Sequence, residues 1–146
     1  MKRKFLYEII DEIAEAENFQ EELYKKMDLY KWFKRLLYIL YNKDYNWEAD
    51  KSIFNAEARS KRDNGGFPAA WVDVVILVEN KLVKTTILSS RFMDSYYKAC
   101  RSCNKKDVDI LNYALSHRNL PGYKGAKKKT IVNAIKEYFG DEYQTV

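Results

Sequence analysis

Apolar positions fall into helical stripes at both ends of the chain and into two continuous runs in the middle. Phe5, Leu6, Ile9, Ile10 and Ile13 recur every three or four residues, with Glu8, Asp11, Glu12 and Glu15 on the opposite side, which predicts a helix over 4–17. A second pattern starts at Asp28, a candidate N-cap, and runs through Leu29, Trp32, Phe33, Leu36, Leu37, Ile39 and Leu40 to Asn42. Being apolar around most of its girth, this helix is expected at the centre of the core. Its aromatic residues Tyr30, Trp32, Tyr38 and Tyr41, with Trp47 beyond it, also make a candidate face for a protein partner. Residues 47–62 carry a further helical pattern, broken by Asp63-Asn64-Gly65-Gly66 and Pro68. The β-branched runs 71–78 and 82–88, separated at Asn80, predict a β-hairpin, and 91–102 returns to helical spacing. The expected class is therefore α+β and mostly helical: a body of residues 1–103 containing the hairpin, a boundary near 104, a small module over 105–140 and a tail of 141–146.

The C-terminal stretch is the most distinctive. Val108, Ile110, Leu111, Ala114 and Leu115 form one apolar stripe, with Asp107 or Asp109 suited to its helix N-terminus. Asn119 stands where a helix commonly ends on a left-handed residue. Leu120-Pro121-Gly122-Tyr123-Lys124-Gly125 crowds a proline and two glycines into six residues and cannot be helical. Ile131, Val132, Ile135 and Phe139 make a second stripe, closed by Gly140, so the product is helix, extended loop, helix.

Charge sharpens this picture. The net charge of +5 is carried entirely by residues 91–146, with eleven basic and six acidic side chains, whereas residues 1–90 hold fifteen of each. A surplus concentrated on one segment points to a polyanion-binding patch. Lys127, Lys128 and Lys129 fall at the start of the last helix, where the helix dipole disfavours cations and a docked phosphate would relieve that conflict. Arg118, Lys124 and Tyr123 are candidates to extend the contact, the tyrosine against a sugar or base edge.

Leu111, Leu115, Asn119 and Leu120-Pro121, followed by Gly125, Lys128, Ile131 and Ile135, resemble the SAP and related helix-extension-helix (HeH/LEM-like) families. Asn119 replaces the usual turn glycine, and the loop carries one extra residue among Gly122, Tyr123 and Lys124. The resemblance covers about a quarter of the chain. It implies an accessory module that binds DNA, commonly duplex DNA without tight sequence specificity, although LEM-type relatives bind protein, so the fold alone does not settle the ligand.

Composition bounds the remaining possibilities. At 47% apolar and 15% aromatic the chain is too rich in core-forming residues for a disordered segment. No apolar run approaches the roughly 20 residues needed to span a bilayer, and the basic start Met1-Lys2-Arg3-Lys4 is followed by acidic residues rather than an apolar signal segment. An intracellular protein, cytoplasmic or nucleoid-associated, is expected. Cys100 and Cys103 have the spacing of a redox pair or of half a zinc site, but they close a helix rather than open one, and His117 is the chain's one histidine. Asp63, Glu79 and Lys81 mimic the carboxylate and lysine signature of metal-dependent nucleases, with Glu79 and Lys81 placed at a turn instead of along a strand. No catalytic residue, metal or cofactor is assigned. The sequence thus points to a non-enzymatic nucleic-acid-binding accessory or regulatory protein whose body recruits a protein partner or a second copy. Two alternatives stand beside it: a phage or mobile-element interaction protein that inhibits a nucleic-acid enzyme, and a metal-dependent nuclease.

Overall fold

A computed structural model describes residues 4–45, 54–57 and 90–145. Among these residues the chain forms six helices: α1 (Leu6–Glu15), α2 (Phe19–Leu29), α3 (Lys31–Leu40), α4 (Ser90–Cys100), α5 (Lys105–His117) and α6 (Ala126–Phe139). The α+β class expected from sequence is corrected, since the described residues contain no strand, only an isolated antiparallel bridge between Asn42 and Thr145. The hairpin read over 71–88 lies outside the described residues, as does most of the helical pattern over 47–62.

The stripe of α1 behaves as its spacing dictates: Leu6, Ile9, Ile10 and Ile13 are buried, and each such side chain contributes roughly 1.5–3 kcal/mol. Its first turn is closed locally by Glu8, whose carboxylate accepts the Phe5 N–H at 3.0 Å. A second acceptor comes from far along the chain. The Asp107 carboxylate takes the N–H groups of Leu6 at 3.2 Å and Tyr7 at 2.9 Å, satisfying two of the amides a helix start leaves open.

Helix α2 is absent from the sequence reading because its apolar seam is narrow: Leu23 and Met27 are its buried apolar residues. Tertiary packing and a cap form it. Asn18 accepts the Glu21 N–H at 3.1 Å, and Lys26, almost wholly buried, spans the α1/α2 junction with Nζ at 2.8 Å from Glu12 and 3.2 Å from Glu22. Burial alone would lower the Lys26 pKa, but these two carboxylates outweigh it and raise it.

Asp28, expected to cap the next helix, instead lies inside α2, and the break falls at Tyr30. The Tyr30 N–H still reaches the Lys26 carbonyl at 2.9 Å, while its own carbonyl accepts from Phe33 and Lys34 at 3.1 Å each. One extended residue therefore ends α2 and starts α3. As its apolar girth predicts, α3 is central, with Phe33, Leu36, Leu37, Ile39 and Leu40 buried.

The boundary near residue 104 coincides with the joint between α4 and α5, and the core runs across it. Leu111, Ala114, Leu115, Ile131 and Ile135 belong to the same buried cluster as the residues of α1 to α3. Helix α6 lies along α2 in the same direction: Phe19 meets Tyr123, the Tyr24 hydroxyl donates to the Ala134 carbonyl at 2.6 Å, and the Tyr138 hydroxyl donates to Asp28. No helix of the described residues is long and apolar enough to cross a membrane.

Candidate nucleic-acid interface

The loop between α5 and α6 is built from beneath. The hydroxyl of Tyr41, a fully buried residue, donates to Asn119 Oδ1 at 2.6 Å and accepts the Leu120 N–H at 3.0 Å, while Asn119 Nδ2 donates to the Tyr123 carbonyl at 2.5 Å. This arrangement holds both ends of the extended segment and explains why Asn119 is buried rather than left-handed. The left-handed residue that ends α5 is Arg118, at φ 51° and ψ 48°.

Arg118 adopts that conformation with its guanidinium fastened to the end of α3. Nε donates to the Leu40 carbonyl at 3.1 Å, and Nη2 to those of Ile39 at 3.2 Å and Asn42 at 2.7 Å. The Tyr143 hydroxyl adds a bond to the Tyr38 carbonyl at 2.8 Å, so the open carbonyls of the α3 terminus are shared between two distant side chains. Arg118 is half-buried, and its guanidinium is engaged by these carbonyls.

The lysines remain available. Lys124, Lys127, Lys128 and Lys129 are all exposed, and no carboxylate pairs with any of them among the described residues. Helix α6 starts at Gly125 without a side-chain cap, and its first turn contains no acid. The Lys127 and Lys128 amides turn back onto the carbonyls of Lys124 at 3.2 Å and Gly125 at 3.1 Å, leaving those of Gly125 and Ala126 with no backbone acceptor among the described residues. A positive helix end and four cations therefore coincide, an arrangement suited to a phosphodiester.

Tyr123 sits beside this cluster, half-buried, with its ring centroid 5.6 Å from that of Phe19 and its plane tilted by 48°. Burial raises its pKa. The two rings form part of a mostly apolar cavity of about 310 Å³, whose other lining includes Ile10 and Ala14 of α1, Pro121, Gly122 and, at the start of α6, Lys127. Phe19 and Ala14 were not among the residues singled out from sequence, because nothing in local spacing connects them to the loop.

The other candidates fare differently. Tyr41 is fully buried and cannot offer a partner-binding face. Trp32 is half-buried between the rings of Tyr30 and Phe33, Tyr38 is 38% exposed above a groove shared with Lys34, Tyr45 and Phe139, and Trp47 lies outside the described residues. Cys100 and Cys103 are buried free thiols, and burial pushes the Cys100 pKa up to about 12, the reverse of what a reactive thiolate requires. His117 is exposed and stacks on Tyr113 with centroids 4.0 Å apart. Among the described residues no three His, Cys, Asp or Glu side chains gather as metal ligands would. Asp63, Glu79 and Lys81 lie outside the described residues.

Comparison with known proteins finds no match, whether among family models, curated proteins or solved structures.

Proposed function

We propose that this chain is a nucleic-acid-binding accessory protein, acting by binding rather than catalysis, and that it holds the sugar-phosphate backbone at the N-terminus of α6. The observation that carries this reading is the convergence of Lys124, Lys127, Lys128 and Lys129, exposed and without carboxylate partners among the described residues, on an uncapped helix start. Lysines at that end weaken the helix, so a ligand that supplies negative charge there makes sense of their position. The helix, loop, helix order of α5 and α6 is in keeping with the SAP-like resemblance, and the fixed loop gives the contact a defined geometry.

Binding of fluorescent duplex DNA, single-stranded DNA and RNA is to be measured across a salt series, for wild type and for Lys127→Ala/Lys128→Ala/Lys129→Ala. The variant is expected to bind more weakly, with a logarithmic salt slope smaller by up to about 2.7 on duplex and about 2.1 on single strand. Unchanged affinity in the variant, or no binding by folded wild type at low salt, would overturn the reading. A second reading rests on the exposed Tyr38 groove of α3, which suits a protein partner such as a nucleic-acid enzyme held inactive. Under that reading Tyr38→Ala releases a co-purifying partner while the triple lysine variant keeps it.

A further inference from the structure

The phosphate contact proposed above does not by itself distinguish a duplex from a single strand, but the cavity next to it does. We infer that this cavity accepts one unpaired nucleobase, making single-stranded nucleic acid the preferred ligand of the surface; the inference rests on the nucleic-acid reading. Its volume of about 310 Å³ lies at the lower end of the range of pockets that enclose small ligands, roughly 300–1,000 Å³. The rings of Phe19 and Tyr123, with centroids 5.6 Å apart and planes tilted by 48°, pack on each other and give the cavity an aromatic wall, against which one face of a flat ring can lie. Gly122 also lines the cavity, and its φ of +93° is a backbone conformation that favours glycine.

Charge selects the occupant. An apolar side chain of a protein partner would fill the cavity equally well, but it would bring no counter-charge to Lys127, which lines the cavity, or to Lys124 and Lys128 nearby in sequence. A nucleotide brings both parts together, its base for the rings and its phosphates for the ammonium groups. In a duplex the base is stacked and paired, and withdrawing it costs a few kcal/mol before any contact is gained. A single strand carries no such penalty. The apolar lining reads a π-face rather than a base edge, so the preference should be tolerant of sequence.

The test uses the full chain and three labelled ligands of equal length at one salt concentration: a single strand, the same strand made wholly abasic, and the duplex. Wild type is expected to bind the base-bearing strand about 5- to 150-fold more tightly than the abasic one, the gain of one stacked base, and more tightly than the duplex. Ala14 is exposed on α1 and lines the cavity, so Ala14→Phe fills it from the outer side and should bring the ratio of base-bearing to abasic affinity to about one. Equal wild-type affinity for the base-bearing and abasic strands overturns the inference, whether or not Ala14→Phe folds, and so does a ratio that survives in a folded Ala14→Phe. If the two strands bind equally but both weaken in the triple lysine variant, the cavity proposal fails while the phosphate reading stands. Absence of all binding overturns both.

Discussion

Asp107 does two jobs with one side chain. It belongs to the first turn of α5, where its own N–H is capped by Asn104 Oδ1 at 2.9 Å, and its carboxylate caps α1 a hundred residues earlier in the chain. Burial raises its pKa from 3.8 to about 6, outweighing the hydrogen bonds from the Tyr7 and Leu6 amides that favour the charged form. Asp107→Ala leaves two buried helix-start amides open and is expected to destabilise the chain by about 1–3 kcal/mol, read from denaturant unfolding. The sign of its pH effect follows from linkage: between pH 3.8 and about 6 the folded chain holds more protons on Asp107 than the unfolded chain, so its contribution to stability falls as pH rises through that window and is level above it. The stability of wild type relative to Asp107→Asn should fall over the same interval, and a difference that rises or stays flat there would contradict the assignment. Arg118 has its own test. Arg118→Ala removes charge-assisted bonds to the carbonyls of Ile39 and Leu40 in α3 and of Asn42 just beyond it, and should cost about 1.5–3 kcal/mol of stability. Measured well below its melting temperature, the variant should keep the salt slope of nucleic-acid binding, whereas a phosphate-contacting arginine would lower that slope by about 0.7–0.9.

At the scale of elements, α6 is a helix built against its own electrostatics. Its first turn holds three lysines and no acid, whereas α2 begins with Glu21 and Glu22 and α5 with Asp107. Lys127→Glu/Lys128→Glu/Lys129→Glu should therefore stabilise α6 by about 0.3–1 kcal/mol per site at low salt, raising the melting temperature while abolishing nucleic-acid binding. A fall in both would mean that the lysines hold the fold together. The strong stripes of α1, α3, α5 and α6 were legible in the sequence, as was the extended loop, because wide apolar faces and a proline with two glycines leave little choice. Helix α2 was not, because its buried face holds only two apolar residues, Leu23 and Met27, beside a charged one, Lys26, whose burial depends on Glu12 of another helix. The lysine cluster could be read from charge alone, but its aromatic neighbour Phe19 could not, since the 103 residues between Phe19 and Tyr123 are closed only by folding.

At the scale of the whole molecule, one buried core runs across the seam between the body and the C-terminal module. Charge and turn residues mark a seam near 104, yet charge is a surface property, and the core is decided by which apolar faces meet. Leu111, Leu115 and Ile135 are wholly buried in the cluster that also contains Leu6, Phe33 and Leu37, and Asp107 and Arg118 reach back to satisfy backbone groups of α1 and α3. The proposed binding surface inherits this dependence: the Tyr41 hydroxyl, from the end of α3, holds Asn119 and Leu120 of the loop before α6. A fragment of residues 105–146 would lose that support and most of its buried partners. Residues 1–104 would in turn expose the faces that α5 and α6 cover. Neither fragment is expected to show a cooperative thermal transition by circular dichroism, and Leu115→Ala should lower the stability of the whole chain by about 2–5 kcal/mol. Amide exchange in α1 should accelerate in that variant together with exchange in α6, because both helices open with one core. A cooperative melt of 105–146 alone, with α1 untouched by Leu115→Ala, would restore the independent module and detach the site from the helices beneath it.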